Sequence, residues 1–149
     1  MIFRTLGLMR GLSTVILLFV LMYVYANVPE NVALSVDESG LRGDYISRPK
    51  FFFGALALAV VVNLVLYLFG QFVSKANSYN LSSQRIKLWS DGLGLFVNLF
   101  FVIILFFFNA FNGGERFDFS YLSYPIYISL GFVVVWAFAL IPIFIMRNR

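Results

Sequence analysis

One uninterrupted apolar run, residues 51–73, limits what this chain can fold into more than any other feature. The run contains no charged residue. As an α-helix it would be roughly 34 Å long, which is enough to cross the hydrocarbon core of a bilayer. Because water is absent there, the backbone must form its hydrogen bonds within the segment. The sequence therefore predicts a transmembrane helix at this position.

The composition of the whole chain supports an integral membrane protein. Of the 149 residues, 61% are hydrophobic and 12% are charged, whereas soluble domains have about 25% charged residues. We predict an all-α fold, a single bundle of four transmembrane helices over residues 6–28, 51–73, 86–111 and 121–146. The first apolar run, which follows a basic start, is interpreted as a membrane helix and not as a cleaved signal peptide.

The basic residues set the expected orientation in the membrane. Seven of the eleven lysines and arginines lie near the N-terminus, near the loop between the second and third helices, or at the C-terminus. We therefore expect both termini on the cytoplasmic side of a bacterial inner membrane. Residues 29–50 then form an extracytoplasmic loop, which we expect to be ordered. Within it, Asn31–Val36 alternates weakly between apolar and polar residues and predicts a short strand or extended stretch.

The missing residue types exclude several kinds of chemistry. The chain has no cysteine and no histidine, which rules out disulfides, thiolate catalysis, iron–sulfur ligation and histidine-based zinc, haem or general-base sites. The sequence also lacks a P-loop, a Ser/His/Asp set and the spacing of an EF-hand. We expect a non-enzymatic protein with no cofactor, no metal and no nucleic-acid partner.

Two asparagines lie near the middles of the second and third predicted helices. A short connection makes these helices neighbours, so Asn63 and Asn98 should lie at a similar depth. An unpaired amide in hydrocarbon is costly, and each side chain should therefore face protein. We predict a direct hydrogen bond between the two side chains. Its role is interpreted as structural, with a place in a substrate or ion path as the alternative.

A polar stripe follows one face of the third predicted helix. Asp91, Asn98 and Asn109 are spaced by 7 and 11 residues, and both spacings return to within about 20° of one line. Asp91 is a candidate proton or cation site, together with Asn98 and with Gln71, which should lie at a similar depth. The alternative is an ordinary ion pair between Asp91 and Lys87, four residues away on the same helix.

The loop between the first two helices carries a short motif. Its residues are Val28, Pro29, Glu30, Val32, Asp37, Gly40, Asp44, Tyr45 and Lys50, directly before an apolar helix. This pattern resembles the repeated module of the SdpI-like family and covers residues 23–67. The family also has a second proline and a histidine, at the places where this chain has Ala33 and Ser35.

SdpI-like proteins are bacterial membrane proteins typified by an immunity protein against a secreted killing peptide. That protein also relays a signal by sequestering a repressor. The resemblance therefore implies immunity or signalling, with an envelope peptide as partner. It also implies a loop motif made of Pro29, Asp37, Gly40, Asp44 and Tyr45.

Two other functions stay open at the level of sequence. The chain could be an accessory subunit of a larger bacterial membrane complex of the respiratory, secretion or motility type. It could also be a small ion or solute transporter that uses Asp91, Asn98 and Asn63. The lipid bilayer is the one partner common to all three interpretations.

Overall fold

Long helices and one β-hairpin make up the fold. The computed structural model describes residues 2–36, 42–76, 81–113 and 119–147. In chain order the elements are α1 (Ile2–Asn27), β1 (Asn31–Val36), β2 (Arg42–Ser47), α2 (Arg48–Ala76), α3 (Leu81–Asn112), α4 (Phe119–Phe138) and α5 (Leu140–Arg147). Four spans, Thr5–Asn27, Arg48–Phe72, Gln84–Asn112 and Ser123–Ile143, are each long and apolar enough to cross a membrane. The fourth runs from α4 into α5. The prediction of four spans of membrane-crossing length and apolarity is therefore confirmed.

Each of the four helices begins two to five residues earlier than the apolar pattern predicted. In α2 the added residues are Arg48, Pro49 and Lys50. The helix starts at Arg48, and Pro49 follows within the first turn. A proline is well tolerated at this place because the amide that it lacks would have no partner within the helix.

The fourth predicted helix, residues 121–146, is in fact two helices, α4 and α5. The chain makes a turn at Ala139, whose amide is shared between the carbonyls of Val135 and Trp136 at 3.2 Å each. Pro142 lacks the amide that would bind the carbonyl of Phe138. The break therefore agrees with the effect that a proline has inside a helix.

α3 is the central helix of the bundle. It packs against α1, α2 and α4, whereas α1 and α2 contact each other much less extensively. The main apolar core lies between α1, α2 and α3 at the end that carries the hairpin. It consists of Leu17, Leu21, Val24, Val28, Val32, Phe51, Ala59 and Leu105.

α4 is attached to the bundle through α3. The indole nitrogen of Trp89 donates to the carbonyl of Trp136 at 2.7 Å, and the indole nitrogen of Trp136 donates to the carbonyl of Trp89 at 2.9 Å. Gly92 makes this approach possible, since a Cβ at that position would lie 2.5 Å from the Trp136 ring. A single missing side chain thus sets the distance between the two helices.

A two-stranded antiparallel hairpin lies between α1 and α2. Val32 of β1 lies opposite Ile46 of β2, and Ser35 lies opposite Gly43. The strand predicted at Asn31–Val36 is confirmed, whereas β2 was not predicted. The fold is therefore mostly helical, as predicted, with a two-stranded hairpin in place of a single strand between the first two helices.

Candidate functional site

The predicted contact between the two asparagines is present. Nδ2 of Asn63 on α2 donates to Oδ1 of Asn98 on α3 at 2.7 Å, and it also donates to the carbonyl of Ala59 at 3.0 Å. Asn98 is fully buried. Because α2 and α3 are antiparallel neighbours, two residues at equal depth on the facing sides meet, as the sequence predicted.

The same asparagine also reaches α1, which the sequence did not predict. Nδ2 of Asn98 donates to Oγ of Ser13 at 2.9 Å and to Oγ1 of Thr14 at 3.0 Å. Both hydroxyls in turn donate to the carbonyl of Arg10. Asn98 therefore joins three helices through its one amide group, and each of its polar atoms has a partner.

Asp91 is paired with an arginine from α1. Nη1 of Arg10 donates to Oδ1 of Asp91 at 3.0 Å, and Nη2 of Arg10 donates to the carbonyl of Asn63 at 2.8 Å. The side chains of Arg10 and Asp91 are only 9% and 14% exposed. The predicted alternative, a Lys87–Asp91 pair, was wrong, because Asp91 pairs with the guanidinium of Arg10 on the neighbouring helix α1.

A glycine on α3 makes room for this arginine. A Cβ at Gly94 would lie 2.7 Å from Nε of Arg10. Sequence reasoning treated Arg10 as one of the basic residues that set the orientation, and so it missed the role of this residue in the core. The available signal was its position, since Arg10 directly precedes the apolar residues of α1 and lies at a depth similar to that of Asp91.

A crevice of about 660 Å³ opens beside the ion pair, between α1, α2 and α3. Gln71, Tyr67 and Lys87 line it together with Arg10 and Asp91. Gln71 therefore lies in the region predicted for it. Among the described residues, however, no hydrogen bond joins Gln71 to Asp91, and the two share the wall of the crevice without direct contact between their polar groups.

One buried polar atom in this region has no partner. Oδ1 of Asn63 is buried and accepts no hydrogen bond from the described part of the chain. Both donors of the same amide are used, for Asn98 and for Ala59. Such an unpaired acceptor is uncommon in a folded protein and is costly. It lies on a residue that lines the crevice.

The hairpin forms the second candidate region. Oδ1 of Asn112, the last residue of α3, accepts a hydrogen bond from the amide of Ala33 at 2.7 Å, and Nδ2 of Asn112 donates to the carbonyl of Ala33 at 3.2 Å. Nη2 of Arg42 on β2 donates to the carbonyl of Gly113 at 2.7 Å. The hairpin is therefore fastened to the end of α3 by both of its strands.

The loop motif falls partly on this hairpin. Asp44 adopts a φ of 50° and accepts a hydrogen bond from Oγ of Ser35. Tyr45 is 57% exposed, and its hydroxyl donates to the carbonyl of Arg42 at 3.0 Å. Pro29 is exposed between α1 and β1. The motif residues Asp37 and Gly40 lie outside the described residues.

The described residues offer hydrogen-bonding groups rather than a reactive constellation. Within ranges 2–36, 42–76, 81–113 and 119–147, no three carboxylates come together in a way that could hold a metal ion. The polar groups of α1, α2 and α3 can orient one another and can bind a ligand in the crevice. The hairpin can bind a partner through its exposed strand.

Comparison with known proteins gives no family for this chain. No protein-family model matches the chain, and neither a curated protein nor a solved structure matches it. The resemblance of the loop motif to the SdpI-like family therefore stays a prediction from sequence. A functional assignment has to be built on the geometry of the hairpin and of the crevice.

Proposed function

We propose that this chain is a small, non-enzymatic, multi-pass membrane protein that recognises an envelope peptide at its hairpin. The setting is a bacterial inner membrane with both termini in the cytoplasm. Four helices of sufficient length and apolarity support the membrane setting, and the distribution of lysine and arginine supports the orientation. The proposed role in immunity or signalling is the one that the SdpI-like loop motif implies.

The observation that carries this proposal is the asymmetry of the hairpin. On the β1 side, Ala33 uses both its amide and its carbonyl for Asn112, so α3 closes that edge. On the β2 side, the backbone approaches only β1 and α2 among the described elements. Within the described part of the chain, the hairpin thus presents one closed edge and one open edge.

An open strand edge is a general way to bind an extended peptide. The peptide adds as a further strand, its backbone supplies the hydrogen bonds, and side chains on the strand supply specificity. Tyr45 and Asp44 are the exposed side chains of β2. A peptide bound along β2 would therefore contact the acid–tyrosine pair of the motif.

The hairpin is also placed to pass a signal to the bundle. Arg42 of β2 lies over the ring of Phe111, with 5.7 Å between the guanidinium carbon and the ring centroid. The same arginine binds the carbonyl of Gly113. A displacement of β2 would therefore move the contacts of Arg42 at the end of α3. α3 is the helix that contacts every other long helix.

A site-specific crosslinking experiment tests the proposal. A photoreactive amino acid replaces Tyr45 in the protein expressed in its own membranes, and adducts are identified by mass spectrometry. The matched control replaces Tyr124, an exposed tyrosine on α4 (70% exposed) that does not belong to the hairpin. We expect a peptide adduct at position 45 and none at position 124. Equal labelling at both positions, or no peptide adduct, would overturn the proposal.

Substitutions in the loop motif are a second test of the proposed peptide site. Asp44→Ala removes the acceptor for Ser35 and places alanine at a positive φ, where aspartate is tolerated better. We expect Asp44→Ala, and changes at Asp37 or Gly40, to abolish the immunity or signalling phenotype while the protein still inserts. A normal phenotype in all three variants would contradict a role of the motif.

An accessory subunit is the second candidate, and α4 offers an exposed apolar surface to a partner helix. The apolar side chains Tyr127, Ile128, Phe132, Val135 and Phe138 are each at least 55% exposed. Lipid or a partner helix could cover this surface. Stoichiometric co-purification of a larger membrane assembly in gentle detergent would favour the subunit. Recovery of the protein alone would favour the self-contained protein.

A transporter is the least favoured of the three. Asp91 already has a guanidinium within 3.0 Å, so the negative charge that would attract a cation is compensated within the protein. Asn98 uses both of its polar atoms within the bundle. Two of the three residues of the polar stripe on α3, Asp91 and Asn98, are therefore engaged in contacts between helices.

A further inference from the structure

The crevice between α1 and α2 is open to the surroundings along its length. Five of its lining side chains, Val15, Leu18, Val60, Leu64 and Tyr67, are 40–52% exposed. α3 closes the bottom of the crevice through Lys87 and Asp91. In the membrane setting proposed above, its open side would face lipid.

The lining changes from apolar to polar along the crevice. The end near the middle of the helices is formed by Leu17, Leu18, Ala59 and Val60. The other end lies where α1 begins, α2 ends and α3 begins. Its lining there consists of Gly7, Arg10, Tyr67, Gln71, Lys87 and Asp91. This gradient matches an amphiphile with its polar group at the cytoplasmic end and its hydrocarbon toward the middle.

Counted over the described lining residues, the polar end carries one positive charge in excess. Arg10 and Asp91 compensate each other. Among the described residues, no carboxylate lies within ion-pair distance of Lys87, which is partly buried in the wall. The crevice therefore favours an anionic polar group, with the ammonium of Lys87 as its counter-charge and the amide of Gln71 as a hydrogen-bond donor.

Two glycines on α1 keep the crevice free. A Cβ at Gly11 would meet no atom within 4 Å, and a Cβ at Gly7 would meet only Oδ2 of Asp91, at 3.9 Å. Neither glycine is therefore needed for close approach of another helix at its own position. Their effect is to leave space beside the ion pair.

We propose that this crevice binds one anionic phospholipid of the cytoplasmic leaflet. Its phosphate lies at Lys87 and Gln71, and one acyl chain lies along Leu18, Val60 and Leu64. Basic pockets between membrane helices on the cytoplasmic side are a general mode of binding such headgroups. The inference rests on the membrane setting and orientation proposed above, and it does not depend on peptide recognition by the hairpin.

Native mass spectrometry of the full-length protein in mild detergent tests this site. The probes are palmitoyl-oleoyl phosphatidylglycerol and, as the neutral comparison, palmitoyl-oleoyl phosphatidylcholine. We expect one retained phosphatidylglycerol per protein and weaker retention of phosphatidylcholine. Lys87→Gln should weaken phosphatidylglycerol retention about fivefold, since one basic residue near an anionic lipid contributes on that order.

Two glycine variants show whether loss of the lipid results from a filled crevice or from a folding defect. Gly11→Leu fills the crevice without meeting another protein atom at its Cβ, and it should abolish the lipid adduct. Gly131→Leu on α4 is the matched control, since its Cβ also meets nothing within 4 Å and the residue does not line the crevice. It should retain the lipid as the unsubstituted protein does, and size-exclusion chromatography checks that both variants are folded.

Several outcomes would overturn this inference. Equal retention of the two lipids would show that charge plays no part. Retention by Gly11→Leu would place the lipid elsewhere on the surface. Competition by free glycerol phosphate would identify a soluble phosphate compound as the ligand, and a polypeptide retained in place of lipid would identify a partner helix. Crosslinking at Tyr45 is a separate measurement, so failure here leaves peptide recognition to be judged by its own test.

Discussion

Arg10 is a charged side chain among apolar helices, and its surroundings explain how the fold accommodates it. Its two terminal nitrogens bind a carboxylate on α3 and a carbonyl on α2, and Gly94 leaves room for its stem. A buried ion pair is not a strong source of stability, but a buried charge without a partner is very costly. Arg10 and Asp91 therefore depend on each other.

This dependence gives a prediction at the residue scale. Asp91→Asn should lower the free energy of unfolding by about 3 kcal/mol, because the guanidinium of Arg10 is left buried without a counter-charge. The double variant Arg10→Met, Asp91→Leu removes both charges and should recover most of that loss. Unfolding by SDS in mixed micelles measures both variants. Equal free energies for the single and the double variant would contradict the interpretation.

α4 shows how one element is positioned by very few residues. Its contact with the rest of the bundle runs through α3, with Phe96 stacked on Phe132 at 5.9 Å between ring centroids and the two tryptophans bound reciprocally. Small residues at helix contacts permit such close approach. Gly92 is the small residue here, since the Trp136 ring occupies the place of its Cβ.

At the element scale we predict different effects for two glycine-to-alanine substitutions. Gly92→Ala should destabilise the protein by roughly 1–3 kcal/mol, because its methyl group forces Trp136 away from α3. Gly131→Ala on α4 should be neutral or slightly stabilising, since alanine favours the helix and its Cβ meets no atom within 4 Å. Thermal unfolding gives the stabilities, and near-ultraviolet circular dichroism reports the tryptophans. A neutral Gly92→Ala would show that the tryptophan contact does not set the helix distance.

The whole molecule is asymmetric from one end to the other. One end carries the hairpin and the apolar core, and the other carries the crevice and the Arg10–Asp91 pair. The distribution of basic residues predicts that the hairpin end is outside the cell. The proposed peptide and the proposed lipid would thus be bound on opposite sides of the membrane.

The orientation can be tested directly, because the chain contains no cysteine. Glu30→Cys places a thiol next to the hairpin, and Gln84→Cys places one near the start of α3; both positions are exposed. In intact cells a membrane-impermeant maleimide should label position 30 and should label position 84 only after the membrane is opened. The reverse pattern would mean that the hairpin lies in the cytoplasm, and it would remove the basis for recognition of an envelope peptide.

The sequence by itself determined the four long helices, because apolar runs of that length can satisfy their backbone in a bilayer only as helices. It also determined the Asn63–Asn98 contact, since that contact results from equal depth on two consecutive antiparallel helices. The strand β1 was predictable from its alternation. Its partner β2 could not be predicted, because Arg42–Ser47 has no such alternation and takes its conformation from pairing with β1.

Only the tertiary structure decided which partners the buried polar groups take. Local spacing favoured Lys87 for Asp91, but the guanidinium of Arg10 lies 81 positions away in the chain and reaches the carboxylate from α1. Asn112 likewise serves a strand 79 positions earlier. The crevice lies between three helices, with α3 in the central place and α1 and α2 in less extensive contact with each other. No local pattern encodes that arrangement, since it depends on how three helix surfaces fit together.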